Sequence, residues 1–172
     1  MRAALGRGAV LVGLVAALAA GPRPAGADTL VPFTALLNAG QEVPPRASSA
    51  HGVALVTLNT TNDELCYSIS YQGLTTPEIL AHFHGPAAPG QNANIVFDIS
   101  PSPSPLGSPK TGCVGPLNRR QQRELHDGLW YINVHTTMFP GGEIRGQVLP
   151  SRGVRYKAPA IGGSASGAFL SD

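Results

Sequence analysis

In Leu129-Trp130-Tyr131-Ile132-Asn133-Val134-His135 apolar and polar side chains alternate without a break from Trp130 onward. A period of two is the signature of a strand, so Trp130, Ile132 and Val134 face one side and Tyr131, Asn133 and His135 the other. Two more segments repeat the pattern. In residues 79–84 (ILAHFH) Ala81 and Phe83 share the core side while His82 and His84 lie opposite, and in residues 143–148 (EIRGQV) Ile144 and Val148 turn inward while Glu143, Arg145 and Gln147 turn outward. Further runs at 32–37, 52–58, 64–71 and 94–99 bring the expected count to about seven strands separated by Gly, Pro, Asn and Thr turns. The expected fold is an all-β, Greek-key-like antiparallel β-sandwich of two packed sheets. Pro140-Gly141-Gly142 should join the last two strands as a hairpin, and one short helix is expected over 118–127, with Asn118 as N-cap and Gly128 terminating it.

Composition agrees. The 172 residues include 21 Gly and 16 Pro, about a fifth of the chain, which suits short strands and turns better than long helices. Residues 1–27 read as a secretory signal: Arg2 and Arg7 precede a short apolar run over 9–20, and Ala25-Gly26-Ala27 offers small residues for cleavage. Removing Arg2, Arg7 and Arg23 takes Lys plus Arg from 12 to 9 against 10 acidic residues, so the remaining chain is near neutral. That balance lacks the basic stripe a nucleic-acid partner requires, and Arg119, Arg120 and Arg123 read as a solvated helix face. No transmembrane segment is expected once the signal is removed. The division is then signal peptide 1–27, folded domain 28–150 and a Gly/Ser/Ala-rich flexible tail 151–172, with the Pro-rich stretch 100–109 as an exposed connector. The expected location is secreted, either extracellular or periplasmic.

The sequence offers a site but no catalytic constellation. His82 and His84 form an HxH pair whose Cα atoms in a strand stand about 6.6–6.8 Å apart, close enough for both rings to reach one ion, and His135 on a neighbouring strand supplies a third nitrogen. Such a set suits copper or zinc, and the HxH alone resembles copper ligands of copper/zinc superoxide dismutases. A pre-formed site requires the imidazole nitrogens within about 4 Å of one another. Otherwise no cofactor is implied. Tyr131, Asn133, Glu143 and Arg145 complete a polar face expected to be solvent-exposed, with Glu143 and Arg145 as a surface ion pair and Glu143 a candidate fourth ligand or base. On that reading the His135 position is exposed and tolerant of truncation. His51 and His126 read as surface residues. No nucleophile elbow, zincin motif or phosphate loop is present, so the reading favours a non-enzymatic module that binds an extracellular ligand or protein through this face.

Four segments in order, Phe33-Thr34-Ala35-Leu36-Leu37-Asn38-Ala39-Gly40-Gln41-Glu42-Val43-Pro44-Pro45, Ala81-His82-Phe83-His84-Gly85-Pro86-Ala87, residues 128–136 and Gly142-Glu143-Ile144-Arg145-Gly146-Gln147, resemble the CHRD (chordin) domain family. The resemblance implies a secreted β-sandwich module of the stand-alone, exported microbial type. Animal chordins use theirs in antagonists of growth factors, but the cysteine-rich modules that flank it there are missing from this chain, so that activity does not carry over.

Cys66 and Cys113 are the only cysteines, and in an oxidising compartment an isolated pair is expected to bridge. Closing that loop stabilises the fold by about 4 kcal/mol on the chain-entropy account. Thiol titration of the unreduced, denatured protein should find no free thiol; two titratable thiols would refute the pairing.

Overall fold

A computed structural model describes residues 29–100 and 107–151, and the backbone of 156–157. The signal segment, most of the Pro-rich stretch and nearly all of the tail lie outside the described residues. The strands are β1 (Thr29–Asn38), β2 (His51–Asn59), β3 (Glu64–Gln72), β4 (Glu78–His84), β5 (Ile95–Asp98), β6 (Lys110–Val114), β7 (Trp130–Thr136), β8 (Ile144–Pro150) and the two-residue β9 (Tyr156–Lys157). One helix, α1 (Arg119–His126), stands between β6 and β7. It is capped as expected: the Asn118 side chain accepts from Arg120 N and Gln121 N, and Gly128 takes the left-handed conformation at φ +69° that a side chain would resist. Among the described residues no helix is long and apolar enough to cross a membrane.

The all-β antiparallel fold is as expected, but its connectivity differs. All strands belong to one hydrogen-bonded sheet in the order β5-β4-β7-β8-β1-β2-β3-β6, with β9 beside β1. The two halves of the expected sandwich are hydrogen-bonded into one sheet, because β1 pairs with β2 from Leu30 to Asn38 and also with β8. The sheet curls until the strands next to its two ends meet across the core: Tyr67 on β3 packs edge-on against Phe83 on β4, with ring centroids 5.7 Å apart. Inside lie Phe33, Leu37, Val56, Leu58, Leu65, Ile69, Phe83, Trp130, Ile132, Val134, Ile144 and Val148, all at most 2% exposed. Phe83, Trp130, Ile132, Val134, Ile144 and Val148 among them are the inward positions that alternation assigns.

β6 follows the Pro-rich stretch and is a strand that the sequence pattern does not announce. It pairs with β3 so that Cys113 lies directly opposite Cys66, and the disulfide forms there with the Cα atoms 3.9 Å apart. The pair staples an edge strand to the sheet on its outer side. At the other end of β6, Lys110 turns into the interior and meets Glu78 of β4 at 2.9 Å, both side chains essentially inaccessible. Glu78 Oε2 also accepts from the Tyr71 hydroxyl and from Gly107 N at 2.8 Å. This ion pair bridges β4 to β6, across the seam of the curled sheet.

Removing one partner of a buried pair strands the other charge without water, at about 3–5 kcal/mol. Lys110→Ala should therefore destabilise the domain by that amount in chemical denaturation, whereas the double replacement Glu78→Leu with Lys110→Met should recover most of the loss. A Lys110→Ala effect below about 1 kcal/mol would show that the pair does not hold the seam.

Candidate metal centre

Strand β7 is buried along its entire length, on the polar side as well as the apolar one. The polar face expected to meet solvent is roofed by the segments around 40–48, 75–76, 85–94 and 137–142. Tyr131, Asn133, Glu143 and Arg145 are between 0 and 4% exposed. The exposed-face expectation is therefore corrected, and with it the tolerance of His135, which is 8% exposed and whose Nδ1 donates to Pro140 O at 2.9 Å.

Glu143 and Arg145 do not pair. The Glu143 carboxylate accepts from Ser48 Oγ at 2.6 Å, Thr75 N at 2.9 Å, Thr75 Oγ1 at 3.0 Å and Thr136 Oγ1 at 2.7 Å. These bonds more than offset its burial and hold its pKa below the ordinary value. Glu143 thus ties two loops to β7 and β8 rather than serving as a ligand. Arg145 reaches the opposite way, donating to Gln91 O at 2.6 Å and Asn92 Oδ1 at 3.2 Å. Its guanidinium carbon lies 3.4 Å from the Tyr131 ring centroid, and the His84 ring stacks parallel on Tyr131 at 4.7 Å. Arg145, Tyr131 and His84 so form a column that fixes the imidazole plane.

The three histidines converge. Register places His82 opposite Asn133 and His84 opposite Tyr131, and His135 follows Asn133 on the same side of β7. One ligand atom from each of His82, His84 and His135 lies within 4.8 Å of the other two. His82 Nδ1 and His135 Nε2 meet the 4 Å expectation at 3.0 Å. The full trio is wider because Asn133 Oδ1 sits 3.1 Å from His84 Nε2 and 3.0 Å from His135 Nε2.

Protons follow from the partners. His84 Nδ1 lies 2.9 Å from Ala93 O, as His135 Nδ1 does from Pro140 O. A carbonyl only accepts, so both Nδ1 atoms carry the hydrogen and both Nε2 atoms present bare lone pairs inward. All three imidazoles are held below their usual pKa, chiefly by burial; in His82, reinforced by its two neighbours, the value falls to about 4. They are neutral at pH 7. With Asn133 Oδ1, two lone-pair nitrogens and an amide oxygen point at one another, an arrangement relieved by turning the amide to donate or by a cation between them. His51 and His126 are exposed, as expected.

The CHRD domain family model matches residues 33–148, which is most of the chain and all four resemblance segments up to Val148. The chain belongs to the CHRD domain family. No curated protein and no solved structure matches it. Within the CHRD domain, the histidine trio therefore stands on its own geometry.

Sequence reading missed Glu42, which comes from the Gln41-Glu42-Val43-Pro44-Pro45 segment and packs beneath the β7–β8 turn. It is 4% exposed, and Oε1 has no hydrogen-bond partner among the described residues. Gly142, at φ +113°, leaves room for it, since a Cβ there would lie 2.5 Å from Oε1. Burial raises the Glu42 pKa to about 7 despite Arg145 and Arg46 nearby. Because the folded value lies above the unfolded 4.5, this group favours folding at low pH, and its contribution is lost as pH rises from about 4.5 through about 7. Glu42→Gln should therefore raise stability by about 3 kcal/mol at pH 8 and by little at pH 4. Equal effects of the substitution at both pH values would contradict the buried, proton-holding carboxyl.

Proposed function

We propose that this CHRD domain is an exported module, extracellular or periplasmic, whose ligand is a single copper or zinc ion held by His82, His84 and His135. One observation carries the reading: three buried neutral imidazoles converge, two of them locked by backbone carbonyls with their lone pairs facing inward. Metal-bound histidines are oriented by just such acceptors on the far nitrogen. An all-nitrogen donor set suits copper and zinc and offers little to magnesium or calcium, which seek oxygen. Three protein ligands leave a coordination position for water or a small ligand. A roofed face admits an ion more readily than a macromolecule, so the ligand reading narrows from a partner protein to a metal.

Export is supported by the signal-like residues 1–27 and by the Cys66–Cys113 bridge, which persists in an oxidising compartment. Protein purified from metal-replete culture should carry about one copper or zinc per chain by elemental analysis. The triple His82→Ala, His84→Ala, His135→Ala variant should be metal-free, and the milder single variant His82→Gln, its strand circular dichroism retained, should lose most of its metal. Metal-free wild-type protein that also fails to take up either ion on titration would refute the proposal.

A further inference from the structure

The three imidazoles are not backed alike. His84 and His135 each rest on a backbone carbonyl, which fixes Nε2 as the inward atom. Among the described residues His82 has no such carbonyl. Its Nδ1 points inward, 3.0 Å from His135 Nε2, and its Nε2 points outward to Asp98 Oδ1 at 3.9 Å. Asp98 is delivered there by register, directly opposite His82 on the edge strand β5. Its Oδ1 is anchored by Ser100 N at 2.7 Å, while the side chain stays 63% exposed.

In the metal-free cluster this one ring supplies the donor that His135 Nε2 lacks. His135 Nε2 has only a lone pair, so its 3.0 Å contact with His82 Nδ1 is a hydrogen bond in which His82 donates. That leaves His82 Nε2 bare, facing a carboxylate that cannot donate, which accounts for the 3.9 Å separation. A metal ion needs the opposite tautomer: Nδ1 must give up its hydrogen to coordinate, and a neutral ring then carries one on Nε2.

Building on the metal reading above, we infer that Asp98 is the positioning residue of the site, accepting Nε2–H of His82 and so selecting Nδ1 as the coordinating nitrogen. One proton leaves Nδ1 and one is gained at Nε2, with the ring neutral before and after. An approach of about 1 Å brings Nε2 and the carboxylate into hydrogen-bond range. All three ligands then have an outward acceptor, two from backbone and one from a side chain. The side-chain one sits at the open edge of the site, so His82 is the ligand that changes state on loading.

Long-range 1H–15N NMR of the imidazoles, on the signal-free chain with and without one equivalent of zinc, tests this. We expect His82 to carry its hydrogen on Nδ1 without zinc and on Nε2 with it, while His84 and His135 keep theirs on Nδ1 throughout. Asp98→Ala should weaken zinc binding about 10–100-fold at unchanged stoichiometry. Asp98→Asn, which retains an accepting oxygen, should recover part of the loss. Zinc coordinated through His82 Nε2, or an Asp98→Ala affinity within about twofold of wild type, would overturn the role of Asp98 while leaving the metal site standing. A chain that binds no zinc and no copper would overturn both.

Discussion

Strand β7 has no free face, and the rest of the molecule is arranged around that constraint. Its apolar side chains fill the interior of a curled sheet, and its polar ones lie under a roof of loops. A polar group removed from water is costly unless it is partnered, so every residue of the roofed layer must find bonds inside the protein. Glu143 does so with four donors from two loops and the end of β7, and Arg145 with a carbonyl, an amide and the face of Tyr131. The same bonds that relieve burial fix the loops, and the loops in turn supply Ala93 O and Pro140 O behind His84 and His135. Packing, loop order and ligand orientation are thus one system.

Within that layer the histidine trio stands out. A neutral histidine could have been accommodated by donating from one nitrogen and accepting at the other. His135 is accommodated in this way, donating to Pro140 O and accepting from His82, but His84 has its donor committed to Ala93 O and its acceptor turned toward the Asn133 amide oxygen. Protonation would relieve the conflict, but burial opposes it in all three rings. A metal ion brings positive charge to the lone pairs directly, with the coordination energy to offset its own desolvation.

Much of this was legible in the chain itself. Period-two alternation identifies the inward residues of β7, β4 and β8, and Asn118 and Gly128 mark the helix ends, because both signals are local. The convergence of His82, His84 and His135 was legible for the same reason, given one assumption about neighbouring strands. What escaped the reading is non-local. β6 follows a Pro-rich run, and its Lys-Thr-Gly-Cys-Val offers little apolar alternation; its place is set by pairing with β3 and by the bridge to Cys66. The single sheet depends on β1 pairing on both sides. Polar alternation could say which way Glu143 and Arg145 point but not that loops close over them, so a surface pair was expected where two separate buried networks stand. Asp98 gave no sign at all until register set it opposite His82.

The central claim is that one ion is bound by three imidazoles on β4 and β7. X-ray absorption spectroscopy of the copper- or zinc-loaded chain tests it most directly, since imidazole carbons beyond the first shell scatter in a pattern that carboxylate or water does not give. The account predicts a first shell with three imidazole nitrogens at about 2.0–2.1 Å. A shell of oxygen atoms, or one with fewer than two imidazoles, would contradict it.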